Sequence, residues 1–141
     1  MFETTSKNID YPYIIQLEEI NKLQQSEKVC NNSVDRLSKN ILEEGKWTTV
    51  IPVEASTGWV MDGNHRLNAA RSLGLKYVPV VKLHYEDLRV SIFWWGTDRP
   101  YPLDKIRYEA SHVALLSFKT TRHIFSPLLP KVNILLSTLT G

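Results

Sequence analysis

Cysteine is nearly absent. Cys30 is the only one in 141 residues, so no internal disulfide can form and a reducing compartment is expected. It lies in the polar run Cys30-Asn31-Asn32-Ser33 with Lys28 as the nearest charge, which reads as an incidental thiol. Long apolar runs are also missing. None approaches the roughly 20 residues of a membrane span, and Met1-Phe2-Glu3-Thr4-Thr5 has neither the basic start nor the apolar stretch of a signal peptide. A cytoplasmic protein without a membrane partner is the expectation. Glycine and proline are sparse, at 6 and 7 residues, which excludes collagen-like and low-complexity chains. The chain has no marked charge excess either: 17 Lys and Arg stand against 15 Asp and Glu, too even for a sequence-independent nucleic-acid binder. There is no CxxC, HExxH, Walker-type loop or GxSxG elbow, and His84 and His112 have no metal-ligand spacing.

What is present is an ordinary globular composition, 43% hydrophobic and 23% charged, at a length that suits one domain. Without repeat or linker, residues 1–141 read as a single domain with 1–12 a loose lead-in. Tyr13-Ile14-Ile15-Gln16-Leu17 has strand composition, and Glu18-Glu19-Ile20 begins a turn. A polar stretch from Asn21 to Asn32 carries Glu27. A helix follows, capped by Ser33, with Val34, Leu37, Ile41 and Leu42 on one face and Gly45 as its stop. Thr48 to Glu54 reads as a strand in which Pro52 argues for an edge or an irregularity. Thr57-Gly58 then turns the chain into the hairpin arm Trp59-Val60-Met61. Asn64 to Leu73 is a second helix with Leu67, Ala70 and Leu73 inward, closed by Gly74. Strands are expected at Tyr77–Leu83, Val90–Trp95 and Val132–Leu136, with a helix from Leu103 to Ser111 on Ile106 and Ala110. The fold class is α/β (α+β), a small mixed sheet with flanking helices.

The chemistry concentrates at Asp62-Gly63-Asn64-His65-Arg66, where a strand runs through a glycine turn into a helix. The first N–H groups of that helix have no internal partner and its dipole is positive there, so the place favours an anion. Gly63 permits a tight turn and close approach of a ligand. A cation in a first helical turn is mildly unfavourable on its own; Arg66, with its planar fork, makes sense there if a phosphate or carboxylate compensates it. Asp62 either caps the helix or helps hold a phosphate-bound magnesium ion. The plainer reading leaves Asp62 as a cap and His65 and Arg66 as solvated surface groups. A second cluster, Lys119-Thr120-Thr121-Arg122-His123 after Phe118, has no helical or strand periodicity and reads as a solvated loop or as an oxyanion clamp. Trp94-Trp95 reads as packing, or as an apolar patch able to pair chains.

Met61-Asp62-Gly63-Asn64-His65-Arg66-Leu67-Asn68-Ala69-Ala70, followed by Leu73-Gly74-Leu75 and Val78-Pro79-Val80, resembles the ParB/sulfiredoxin-like superfamily, and the likeness runs from about Tyr13 to Leu139. Sulfiredoxins carry a catalytic cysteine where this chain has Asn64, which argues against their chemistry. Chromosome-partitioning ParB proteins bind CTP with an arginine-rich turn and add a helix-turn-helix domain, for which no room remains beyond Trp95; DNA is disfavoured as a partner. The branch of free-serine kinases fits best.

That resemblance implies a nucleotide-dependent phosphotransferase acting on the hydroxyl of a small free amino acid, with ATP or ADP as donor and magnesium as cofactor. Glu27, in Gln25-Ser26-Glu27-Lys28-Val29, takes the place of the general base, with Asp62 and His65 also catalytic. Asp62, Gly63, Asn64, His65 and Arg66 bind the nucleotide phosphates, and Lys119, Thr120, Thr121, Arg122 and His123 bind the acceptor. The chain is shorter than recognised free-serine kinases, which leaves the acceptor open. The competing reading is a non-catalytic switch that binds ATP or CTP through the same loop. The oligomeric state stays open.

Overall fold

Three small sheets share out the β-forming segments of the chain, of which the computed structural model describes residues 12–112 and 115–141. The lead-in expected over 1–12 falls, apart from residue 12, outside them. In order the elements are β1 (Gln16–Glu19), a 3-10 turn (Ile20–Lys22), α1 (Asn31–Glu44), β2 (Lys46–Thr49), β3 (Ile51–Glu54) and α2 (Asn64–Ser72). There follow β4 (Tyr77–Leu83), β5 (Val90–Trp94), α3 (Leu103–His112), β6 (Thr121–Phe125), β7 (Lys131–Leu135) and a last 3-10 turn (Leu136–Leu139).

β4 is the centre, antiparallel to β1 and parallel to β3. Its nearly unbroken apolar run is explained by burial on both faces. Val78 and Val80 face a core shared with Ile41 of α1 and Leu67, Ala69 and Ala70 of α2. Val81 and Leu83 face a second core with Ile92 of β5, Ile106 and Ala110 of α3 and Phe125 of β6. This is the expected α+β architecture of a small mixed sheet between helices.

Several boundaries move, each for a tertiary reason. β1 starts at Gln16 because pairing with β4 runs from Gln16 opposite Val80 to Glu19 opposite Tyr77. Tyr13 leaves that line to enter the second core, its hydroxyl donating to the Pro127 carbonyl at 2.6 Å. The strand expected from Thr48 to Glu54 is two strands in two sheets: β2 pairs with β7, β3 with β4, and the chain changes partner at Val50. α1 begins at Asn31 with Cys30 as N-cap and no side-chain cap, so Ser33 lies inside the helix. Leu42 is exposed, and Ser38 is buried on the inner face instead, donating to the Val34 carbonyl. The segment expected to lack periodicity contains β6, paired residue for residue with β5. Its inward positions are Thr121 and Phe125, so the alternation is one of size and position more than of polarity.

The hairpin at Gly58 aims the functional loop. Gly58 has φ +74°, and its N–H donates to the Glu54 carbonyl at 2.9 Å. The Glu54 carboxylate caps the turn from inside, accepting from the N–H groups of Ser56 and Thr57, each at 2.9 Å. Pro52 has no N–H to lose from the sheet, while its carbonyl accepts from Met61 at 2.8 Å. The returning arm therefore covers the edge of β3.

Two substitutions probe this frame by chemical denaturation. Gly58→Ala forces a side chain into the left-handed region and drives its Cβ into the Lys22 carbonyl; a loss of at least about 1–2 kcal/mol is expected. Leu67→Ala empties a fully buried position on α2 and is expected to cost about 2–5 kcal/mol. A midpoint unchanged in either variant contradicts the packing described.

Candidate functional site: a cleft at the start of the second long loop-helix junction

The returning arm delivers Asp62 and Gly63 to the N-terminus of α2. Gly63 is the N-cap, with φ +100°, and no side chain caps the helix, so the expected capping role of Asp62 is not the one it has. The first-turn N–H groups are left facing a cleft of about 540 Å³. Asp62 opens into that cleft. Enough protein surrounds it that desolvation lifts its carboxyl above the usual carboxylate range, against the opposing pull of the Gly63 N–H and Arg66. Arg66 also lines the cleft. It is partly desolvated, feels Glu44 and Asp62 through space, and makes no ion pair with a described residue.

Asn64 and His65 line the cleft as well, and also bond to the chain before α1. The Asn64 Oδ1 accepts from the Ser26 N–H at 2.8 Å and the Glu27 N–H at 3.4 Å, across 38 and 37 positions of sequence. Asn68, one helical turn on, donates to Gln25 at 3.1 Å, and Gln25 donates to the Glu27 carbonyl at 2.9 Å. His65 Nε2 accepts from the Cys30 N–H at 3.1 Å, and burial pushes the imidazole below its ordinary range with Glu27 opposing. These contacts fasten residues 25–30 to the start of α2. The Asn64 amide is thereby a brace for Glu27, while its sequence reading was as a phosphate contact.

Glu27 lies on the cleft wall with both carboxylate oxygens occupied. Oε1 accepts from the Lys119 N–H at 3.1 Å; Oε2 accepts from the Thr121 N–H at 3.1 Å and the Thr121 hydroxyl at 2.7 Å. The two N–H groups converge because Lys119 adopts φ +57° just before β6. A backbone bridge between Glu27 and Leu116 runs alongside, with the Lys28 N–H donating to the Leu116 carbonyl at 2.9 Å. The second sequence cluster is therefore neither a free loop nor wholly a clamp. Thr120 donates to the Ser117 carbonyl at 2.6 Å and is absent from the cleft wall. The Thr121 hydroxyl is taken by Glu27. Arg122 lines the cleft, but its guanidinium donates to the Thr97 carbonyl at 2.6 Å and lies 4.9 Å from the centre of the Phe93 ring. His123 lines it too, and burial holds its imidazole neutral, pushed down to about 3.

Lys28, Trp95 and Phe118 also wall the cleft, and none was singled out from sequence as a site residue. The tryptophan pair divides: Trp94 packs on Tyr101 at 4.4 Å between ring centres, while Trp95, 48% exposed, forms part of the rim. Lys119 Nζ sits 5.3 Å from the Trp95 ring and 5.2 Å from the Phe118 ring. Strand alternation at the end of β5 was the available signal for separating the two tryptophans. Among the described residues no group of three or more His, Cys, Asp or Glu is arranged to hold a metal ion by itself. Asp62 alone is compatible with an ion that arrives already bound to phosphates, because its carboxylate faces the cleft and caps no helix. Chemically, the cleft joins uncapped N–H groups and a free guanidinium on one wall to an oriented carboxylate on the other.

No protein-family model matches the chain, and no curated protein matches it by sequence. Solved structures do match. A conserved hypothetical protein from Pyrococcus furiosus is 14% identical with a TM-score of 0.78, over 92% of this chain and 99% of that one. A free serine kinase in complex with AMP is 14% identical with a TM-score of 0.78, over 92% and 96% of the two chains. A variant of a free serine kinase in complex with ADP is 13% identical with a TM-score of 0.77, over 92% and 95%. Identities this low speak for the fold, which extends nearly end to end in each pair. The protein has the ParB/sulfiredoxin-like fold, in the form found in free serine kinases.

Proposed function

We propose that the protein is a nucleotide-dependent phosphotransferase whose acceptor is the hydroxyl of a small, serine-like free amino acid. The observation that carries this reading is the meeting of Glu27, the uncapped start of α2 with Arg66, and the 118–123 segment in one cleft. AMP and ADP in the structures of similar fold support a nucleotide in that cleft.

Phosphoryl transfer asks the protein for positioning and charge neutralisation. The first-turn N–H groups and Arg66 hold the terminal phosphate, and Gly63 lets that phosphate approach the backbone. Asp62 would hold the magnesium ion that accompanies the nucleotide, whose contribution is to offset phosphate charge. Glu27 accepts the proton of the acceptor hydroxyl as its oxygen bonds to phosphorus, and the P–O bond to the nucleotide breaks with the electron pair leaving on the nucleotide oxygen. His65 and His123 are both held toward the neutral form, so they serve as hydrogen-bonding groups, and the positive charge comes from Arg66, Lys28 and Lys119. Lys119 at the rim suits the acceptor carboxylate.

One observation favours the switch reading. Both Glu27 oxygens are occupied by donors, which is also how a purely structural carboxylate would look. Phosphorus NMR with magnesium, ATP or ADP and a panel of hydroxyl amino acids separates the two. A new phosphomonoester signal is expected, and it should vanish in Glu27→Gln while nucleotide remains bound. Binding without transfer across the whole panel would establish the switch.

Calorimetry and kinetics divide the loop by role. Arg66→Ala is expected to weaken nucleotide binding by roughly 10- to 100-fold, the loss of a charge-assisted contact. Asn64→Ala should lower kcat more than it weakens nucleotide binding, since it frees Ser26 and Glu27 rather than the phosphate. Equal losses in the two quantities would return Asn64 to the phosphate site.

A further inference from the structure

Behind the cleft wall stands a buried tyrosine that the sequence does not connect with the site. Tyr85 follows β4 and is 4% exposed, within the second core. Its hydroxyl lies 3.3 Å from His123 Nε2, with the two ring centres 5.8 Å apart. His123 stacks on Phe125 at 6.4 Å on its own strand, so the imidazole is fixed from two sides. Two positions earlier on β6, Thr121 holds Glu27, and strand alternation puts Thr121 and His123 on the same face. His123 Nδ1 has no hydrogen-bond partner among the described residues, and His123 lines the cleft.

A neutral imidazole has one N–H and one lone pair, and its neighbours decide which nitrogen has which. Burial keeps both partners uncharged, the phenol pushed up and the imidazole down. Among the described residues His123 Nε2 is the one hydrogen-bond partner of the buried Tyr85 hydroxyl, so the phenol O–H donates to it. The remaining imidazole proton is then on Nδ1.

We propose that Tyr85 is a positioning residue that holds His123 in its Nδ1–H form, so that a neutral imidazole offers a hydrogen-bond donor to an anionic oxygen of the substrate beside Glu27. Its use in catalysis rests on the phosphotransferase reading; the tautomer does not. A neutral donor is suited to this place. It binds a carboxylate or phosphoryl oxygen without adding a positive charge that would compete with Arg66 or draw the Glu27 carboxylate into an ion pair.

The test is a long-range proton–nitrogen NMR correlation of the imidazoles in the full-length, nitrogen-labelled protein at neutral pH, with His123→Gln used to assign the signal. The wild type should show His123 protonated on Nδ1 and bare on Nε2. Tyr85→Phe, which keeps the ring and its packing, should shift the population toward the Nε2–H form. Turnover in Tyr85→Phe should fall roughly fivefold to tenfold, the worth of one hydrogen bond, with nucleotide affinity unchanged and no further loss from Tyr85→Phe in a His123→Gln background. A wild-type His123 protonated on Nε2, or a tautomer indifferent to Tyr85→Phe, overturns the assignment whatever the turnover. The expected tautomer in a protein that transfers no phosphoryl group keeps Tyr85 in its place and sinks the phosphotransferase reading alone.

Discussion

The Glu27 carboxylate is tied to the backbone of a segment more than 90 positions away, accepting from Lys119 and Thr121 while its own backbone is held by Asn64. A carboxylate in a partly closed wall needs donors, and here the donors are main-chain N–H groups whose convergence requires the left-handed Lys119. The same contacts that satisfy the charge also close the cleft. The placement of Glu27 and local stability thus depend on one set of hydrogen bonds, and neither wall has its shape without the other.

The electrostatics of the cleft are more selective than a count of basic residues suggests. Of the groups that could be cationic, His123 is neutral through burial, His65 is pushed the same way, and Arg122 is occupied with Thr97 and Phe93. Arg66 keeps its full charge, without an ion-paired carboxylate among the described residues, beside an uncapped helix N-terminus. One positive charge thus stands where backbone N–H groups already favour an anion. The opposite wall carries the oriented Glu27 carboxylate, with Lys28 and Lys119 also lining the cleft on that side.

The cleft lies where the two cores meet. Leu67 anchors the α2 end of it in the core under one face of β4, and Phe125 anchors the β6 end in the core under the other. Each core is built from side chains that β4 sends alternately up and down, so the relative placement of the two walls is set by one buried strand. Neither wall is a free loop. That is why a chain of this size can hold groups from three distant segments at hydrogen-bonding distance.

Much of this was legible in the chain before its structure. The strand Tyr77–Leu83, the stop at Gly45 and the glycine turn into α2 are local matters: a doubly apolar run, a residue able to adopt positive φ, and a helix start with unpaired N–H groups. Local residues determine such features because the relevant energies are torsional or act within a turn or two. The division of Thr48–Glu54 between two sheets was not legible, since alternation tells which side chains face inward and never which strand lies alongside. The strand β6 was hidden because polar residues occupy it, and they are polar because they face a cleft. The bracing of Glu27 by Asn64, its capture by Thr121, and the approach of Tyr85 to His123 are contacts over 37, 94 and 38 positions. Sequence alone determined the chemistry available to this protein, residue by residue; only the pairing of β5 with β6 and the packing of both cores on β4 decided which of those residues meet.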